Sequence, residues 1–252
     1  MKNNFDNFAK MYSDCLHELP EEYISLIKNT FYLNKLSRVV DIGCGSGLLT
    51  FPLSKISQNV LGIDISHNMI EIAKKHTGSD SITWIEKDID HYKFANLYYD
   101  LIIAYESIHL FQNTEKLLRN CLAGLKHNGF LCMGWCFYNW ELILQEEIVG
   151  VFKHYGIDWG EWGFQKFDYF KNLLNSGIIS GLSYTEEKFI NVYQEWAVEQ
   201  IVVHLTSISK VVGLNKKNRE KTRNSLFESI TKKYGNTISG DTQFWIRYSQ
   251  KR

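Results

Sequence analysis

Residues 39–50 read Val39-Val40-Asp41-Ile42-Gly43-Cys44-Gly45-Ser46-Gly47-Leu48-Leu49-Thr50. A short β-branched run ends on an acidic residue, glycine then recurs at every second position, and an apolar segment follows. This order predicts strand, tight turn and helix, the first βα unit of a doubly wound sheet. Glycine suits the turn because the backbone must bend sharply and a side chain would block a ligand's approach to the main chain. A helix opening near Gly47 would offer unpaired N–H groups to a carboxylate or other anion.

A dinucleotide-binding turn requires Gly-x-Gly-x-x-Gly, whereas the third glycine here is Gly47 and position 48 is Leu48. A second acidic residue, Asp64, closes the next strand (Asn59-Val60-Leu61-Gly62-Ile63). It follows Asp41 by about 20 residues, the offset of a ribose-binding carboxylate. Asp41-x-Gly43-x-Gly45-x-Gly47 with Asp64 resembles the first two motifs of the class I S-adenosylmethionine-dependent methyltransferases. Tyr105-Glu106-Ser107-Ile108-His109-Leu110-Phe111 ends the fourth strand. It resembles the Ser-x-His motif of the family's small-molecule, trans-aconitate-methyltransferase-like branch. The Asp/Asn-Pro-Pro-Tyr and Pro-Cys signatures of DNA methyltransferases are absent, since the prolines are Pro20 and Pro52.

The resemblance implies S-adenosylmethionine as cofactor and a Rossmann-like α/β fold. Its sheet would be seven-stranded and mostly parallel, with helices on both faces, the last strand antiparallel and a helical lid inserted after the fifth strand. It implies that Asp41, Gly43, Cys44, Gly45 and Gly47 cradle the cofactor and that Asp64 holds its ribose. Ile65 and Met69 would flank adenine, with Asp88 accepting its amino proton, Asp90 as the rival, and Ile89 beside Asp88 as a further cofactor contact. Tyr105 and the N-terminal Tyr12 would complete the cofactor site.

His109, beyond a strand's carboxyl end and with an ordinary pKa near neutrality, is the candidate catalytic base. Glu106 is a second candidate, at a position where the family makes a backbone contact. Trp135 and Trp140, with Trp159 and Trp162, could wall a substrate pocket or face the sulfonium.

The remaining strands are expected at 82–86, 99–104, 130–136, 185–193 and 241–249, with helices between them. The chain of 252 residues is read as one domain. Residues 1–36 are N-terminal helices, 37–136 the cofactor core, 137–184 the lid, and 185–252 the last strands and helices. Zero formal net charge leaves little attraction to nucleic acid phosphates. The odd count of five cysteines, without a Cys-x-x-Cys pair, argues against a disulfide framework or structural zinc. No metal is implied. Without a signal core or an apolar run of ~20 residues, a soluble cytoplasmic protein acting on a small molecule is expected. Oligomeric state is left open. The alternatives are a non-methylating enzyme on the same cofactor, such as a cyclase, and a non-catalytic binding protein.

Overall fold

The apolar runs become seven strands that hydrogen-bond side by side in the order β3-β2-β1-β4-β5-β7-β6. They are β1 (Arg38–Ile42), β2 (Asn59–Asp64), β3 (Ile82–Glu86), β4 (Tyr99–Tyr105), β5 (Leu125–Tyr138), β6 (Glu186–Ala197) and β7 (Thr237–Gln250). The structure, a computed structural model, describes residues 9–10, 12–14, 18–76, 78, 81–157, 172, 181–183, 185–207, 211 and 214–252. Trp159, Trp162 and most of the expected lid after 157 lie outside the described residues. The chain divides into two compact units. The larger holds Glu18–Cys136, Gly163–Ile190 and Phe244–Arg252, and the smaller Met1–His17, Phe137–Trp162 and Asn191–Gln243.

In the larger unit β1 pairs in parallel with β2 (Val40↔Leu61) and with β4 (Val40↔Ile102). The strand order reverses between these neighbours, which makes the β1/β4 carboxyl end a topological switch point. β4 is buried along nearly its whole length, as a parallel strand covered on both faces must be. Helices α1 (Glu21–Thr30), α2 (Thr50–Ile56), α3 (His67–Lys75) and α4 (Thr114–Gly124) belong to this unit. Ser66 caps α3 by accepting from Met69 N–H, and Asn113 caps α4 by accepting from Lys116 N–H. The α4 stripe Leu117, Leu118 and Cys121 is buried, as its helical spacing predicts. Tyr23 of α1 lies against Tyr105 and Phe244 and donates its hydroxyl to Trp245 C=O at 3.0 Å.

The smaller unit contains helices α5 (Asn139–Ile143), α6 (Gln145–His154), α7 (Val198–Ser207) and α8 (Lys216–Tyr234). Its core includes Trp140, Ile148, Phe152, Val202, Leu226 and Ile230. Lys216, Lys217, Glu220 and Lys221 are exposed on α8, the solvated face expected of that charged run.

Four boundaries differ from the sequence expectation. The crossover helix begins at Thr50 rather than near Gly47, because turns occupy the residues before it. β5 begins at Leu125, so the expected turn at 126–129 lies within it as an irregularity. There the pairing steps from Tyr99↔Leu125 to Leu101↔Phe130 and Asn128 adopts φ +64°. β6 and β7 run to Ala197 and from Thr237, longer than the expected 185–193 and 241–249. Most of β6 is exposed, so strand pairing rather than burial extends it. The last strands run antiparallel, in keeping with the expected sheet.

Candidate functional site

The turn after β1 uses its three glycines differently. All three have positive φ: +68° at Gly43, +54° at Gly45 and +96° at Gly47. A Cβ on Gly43 would stand 2.5 Å from Ser107 Cβ, and one on Gly47 2.6 Å from the Phe51 ring. These two glycines admit neighbouring side chains. A Cβ on Gly45 would meet only Met69 Sδ, at 4.0 Å, so its face is open to a ligand.

Four of the five N–H groups of residues 43–47 are already spent. Gly43 and Cys44 N–H donate to Ile63 C=O at 2.7 and 3.1 Å, and Gly47 N–H donates to Cys44 C=O at 2.9 Å. Gly45 N–H donates to Asp64 Oδ2 at 2.8 Å. The anion site expected at a helix start near Gly47 is therefore not formed at these positions. The carboxyl oxygens beside the turn are the acceptors on offer.

Two carboxylates supply them. Asp64, at the end of β2, accepts from Gly45 N–H and, through Oδ1, from Ser66 N–H at 2.8 Å. It remains half-buried with lone pairs to share. Asp41, at 1% exposure, accepts from Thr50 Oγ1 at 2.6 Å through Oδ2, while its buried Oδ1 has no hydrogen-bond partner. Burial pushes its carboxyl up to about 7. The Thr50 bond opposes that rise, and the charge of Asp64 adds to it. A cationic or hydroxyl-rich ligand suits this acidic cradle, and a phosphate does not. Cys44 is buried, and burial raises its thiol far above the ordinary range, so it is an inert packing group.

Beyond β2, Ile65 is half-buried and Met69 is buried beneath Gly45. Ile89 is buried in a short 3-10 turn, Ile89–His91, after β3. Asp88 caps that turn: its Oδ1 accepts from Asp90 N–H at 3.0 Å, and its Oδ2 lies 3.4 Å from His91 Nδ1. Asp90 Oδ1 is buried without a partner, leaving an unspent acceptor on the rival residue.

At the end of β4, Tyr105 is buried and pairs with Gly134 of β5. Glu106 follows with φ +50°. Ser107 Oγ donates to Ile42 C=O at 2.6 Å, latching this segment onto the end of β1. His109 sits half-buried in the 3-10 turn Ile108–Leu110. Ser107 and Thr50 are the positions that sequence reasoning overlooked. Their signal was a small hydroxyl residue opposite a glycine and a hydroxyl on the first turn of α2.

The aromatic candidates separate. Trp135 in the larger unit is 3% exposed and stacks on Trp245 at 5.8 Å, with the Arg247 guanidinium 5.1 Å from its ring centre. Trp140 in the smaller unit is 2% exposed and packs among Tyr138, Trp196 and His204. Tyr12 also belongs to the smaller unit. The turn, Asp41, Asp64, Met69 and the β4 end are together in the larger one. Among the described residues, no three His, Cys, Asp or Glu side chains converge as metal ligands, and no helix is long and apolar enough to cross a membrane.

Comparison with known proteins agrees with this geometry. A family profile described as a methyltransferase domain matches residues 40–133. A ubiquinone biosynthesis O-methyltransferase of Bradyrhizobium diazoefficiens is 33% identical over 122 residues, covering 45% of this chain and 46% of that protein. The chain thus spans about half the length of this curated relative. Among solved structures, a putative type II methyltransferase of Anaeromyxobacter dehalogenans superimposes with a TM-score of 0.62 at 14% identity. The match covers 93% of this chain and 97% of that one. Phosphoethanolamine N-methyltransferase 2 of Haemonchus contortus, solved with S-adenosyl-L-methionine, gives 0.56 at 14% identity, covering 98% of this chain and 57% of that one.

Proposed function

Because the chain belongs, through residues 40–133, to the class I S-adenosylmethionine-dependent methyltransferases, we propose that it methylates a small-molecule acceptor with S-adenosylmethionine as donor. The observation that carries this reading is the open face of Gly45 between an unpartnered Asp41 carboxylate oxygen and the half-buried Asp64. Asp64 would hold the ribose hydroxyls, and Asp41 would balance the positive charge of the aminoacyl end. Gly43, Cys44 and Gly47 shape the cradle. Ile65, Met69 and Ile89 supply apolar contact for adenine, with Asp88 or Asp90 accepting its amino hydrogen. Tyr105 is proposed to complete the cofactor site, and Trp135, in the same unit, to contribute to acceptor binding.

The bound donor supplies an electrophilic methyl on a positive sulfur whose leaving group is a neutral thioether. The protein therefore has no departing anion to stabilise. Its task is to align the acceptor and exclude water, which can contribute about 7–11 kcal/mol. His109 is proposed to contact the acceptor, and a base near the reacting centre contributes about 10²–10⁴-fold. The balanced charge of the chain supports a partner other than nucleic acid. Unbridged Cys44, Cys121, Cys132 and Cys136 support a cytoplasmic setting.

Titration calorimetry with S-adenosylmethionine and with NAD tests the donor. Binding of the first alone is expected, and binding of NAD alone would reject the assignment. Incubation of a metabolite extract with methyl-labelled donor, read by mass spectrometry, should then reveal a product heavier by one labelled methyl group.

A further inference from the structure

We propose that the carboxylate of Glu106 receives the hydrogen of the acceptor's nucleophilic O–H or N–H. This rests on the methyl-transfer reading above and assigns its acid–base group. As the acceptor's lone pair forms its bond to the methyl carbon, the carbon–sulfur bond breaks and leaves its electron pair on sulfur. The acceptor's proton passes to Glu106 and from there to water.

Glu106 stands directly after β4, beside the end of β1 that carries the glycine turn. Ligands of such sheets bind outside this switch point. Its φ of +50° is rare for a residue with a long side chain and costs about 1 kcal/mol or more. Three bonds hold it there. Glu106 N–H donates to Gly134 C=O at 2.9 Å, and Cys136 N–H donates to Glu106 Oε1 at 2.7 Å. Ser107 Oγ, one residue on, is fixed to Ile42 C=O at 2.6 Å. The strain and the bonds together fix Glu106 at this strand end.

Glu106 as a residue is half-buried and keeps part of its surface exposed at this strand end. Burial pushes its carboxyl up to about 7, and hydrogen bonding from Cys136 only partly offsets that rise. A base with a pKa near the working pH is the most effective proton acceptor. The titratable groups of this cluster meet at Tyr23 on α1, which feels the charges of Glu106, of Cys132 and Cys136 on β5 and of Asp41 on β1, and His109 lies on the following turn. Burial holds the Tyr23 and Cys132 protons far above the neutral range, which leaves Asp41 and His109 to be separated by experiment.

The test compares two ligands that differ only at the reacting centre. S-adenosylhomocysteine is uncharged there, and sinefungin carries an ammonium in place of the sulfonium methyl. Their affinity ratio cancels groups that see only the shared nucleoside and amino-acid ends, Asp41 and Asp64 among them. Calorimetry on the full chain should show sinefungin gaining at least fivefold over S-adenosylhomocysteine between pH 6 and pH 8. Glu106→Gln should abolish that gain while binding S-adenosylhomocysteine within about twofold of the parent. His109→Ala should keep it. A ratio independent of pH in the parent chain, or a gain that survives Glu106→Gln or vanishes in His109→Ala, overturns the proposal. If Glu106→Gln binds neither ligand, the parent and His109→Ala profiles decide. If the parent itself binds neither, the donor assignment falls and Glu106's role with it.

Discussion

Asp41 and Asp64 end neighbouring strands, yet their surroundings differ. Asp64 accepts two backbone N–H groups and keeps access to solvent, so it can hold a ribose while bracing the Gly45 backbone. Asp64→Ala should therefore weaken S-adenosylmethionine binding at least tenfold, about 1.4 kcal/mol, as read by calorimetry. An unchanged affinity would move the ribose site elsewhere. Asp41 is sealed in, with one oxygen bonded to Thr50 and the other unpartnered. Such an arrangement is costly in the free protein and useful when a cation arrives. Residue types at the ends of β1 and β2 were legible in the sequence, because only an acidic side chain there fits the motif. The unequal burial was not legible, since it depends on how α2 closes over one strand end and leaves the other open.

At the scale of the element, the turn from β1 to α2 separates packing from binding. Gly43→Ala would drive a Cβ into Ser107 at a backbone angle that already disfavours side chains. A loss of stability of about 2 kcal/mol or more is expected, from overpacking and strain together. Gly45→Ala meets open space and should cost about 1 kcal/mol from its positive φ alone. It should nevertheless weaken the cofactor more than Gly43→Ala does in whatever fraction folds. Denaturant melts set beside ligand titrations check this pair, and equal stability losses would contradict the assignment. The sequence located the turn and counted its glycines. Which glycine keeps an open face follows from Ser107, just beyond β4, and Phe51 of the next helix, neither of which spacing along the motif reveals.

Across the whole molecule, two buried carboxyls make stability depend on pH. Asp41 and Glu106 have folded pKa values of about 7, above the ordinary value near 4. The folded chain thus binds more protons than the unfolded chain between roughly pH 4 and pH 7. Their contribution to stability falls as pH rises through that window and is fully lost above it. Asp41→Asn should raise Tm at pH 8, by roughly 2–4 °C per kcal/mol recovered, and change it little at pH 5, while weakening donor binding. Scanning calorimetry at the two pH values checks the sign. Saturating S-adenosylhomocysteine at about 100 times its Kd should add ~2.7 kcal/mol to the stability of the parent chain, seen as a rise in Tm.

By itself the sequence determined the parallel strands, their acidic ends, the glycine turn and the resemblance to a methyltransferase domain, because each is a local pattern read within a few residues. Tertiary structure decided the rest. It spent most of the turn's N–H groups internally, left Gly45 as the open face, and buried Asp41 with an unpartnered oxygen. It also packed Trp140 into a core and tied Glu106, directly after β4, to β5. The physical reason is that hydrogen-bond satisfaction and burial are set by strands and helices distant along the chain. They come together only when the sheet assembles.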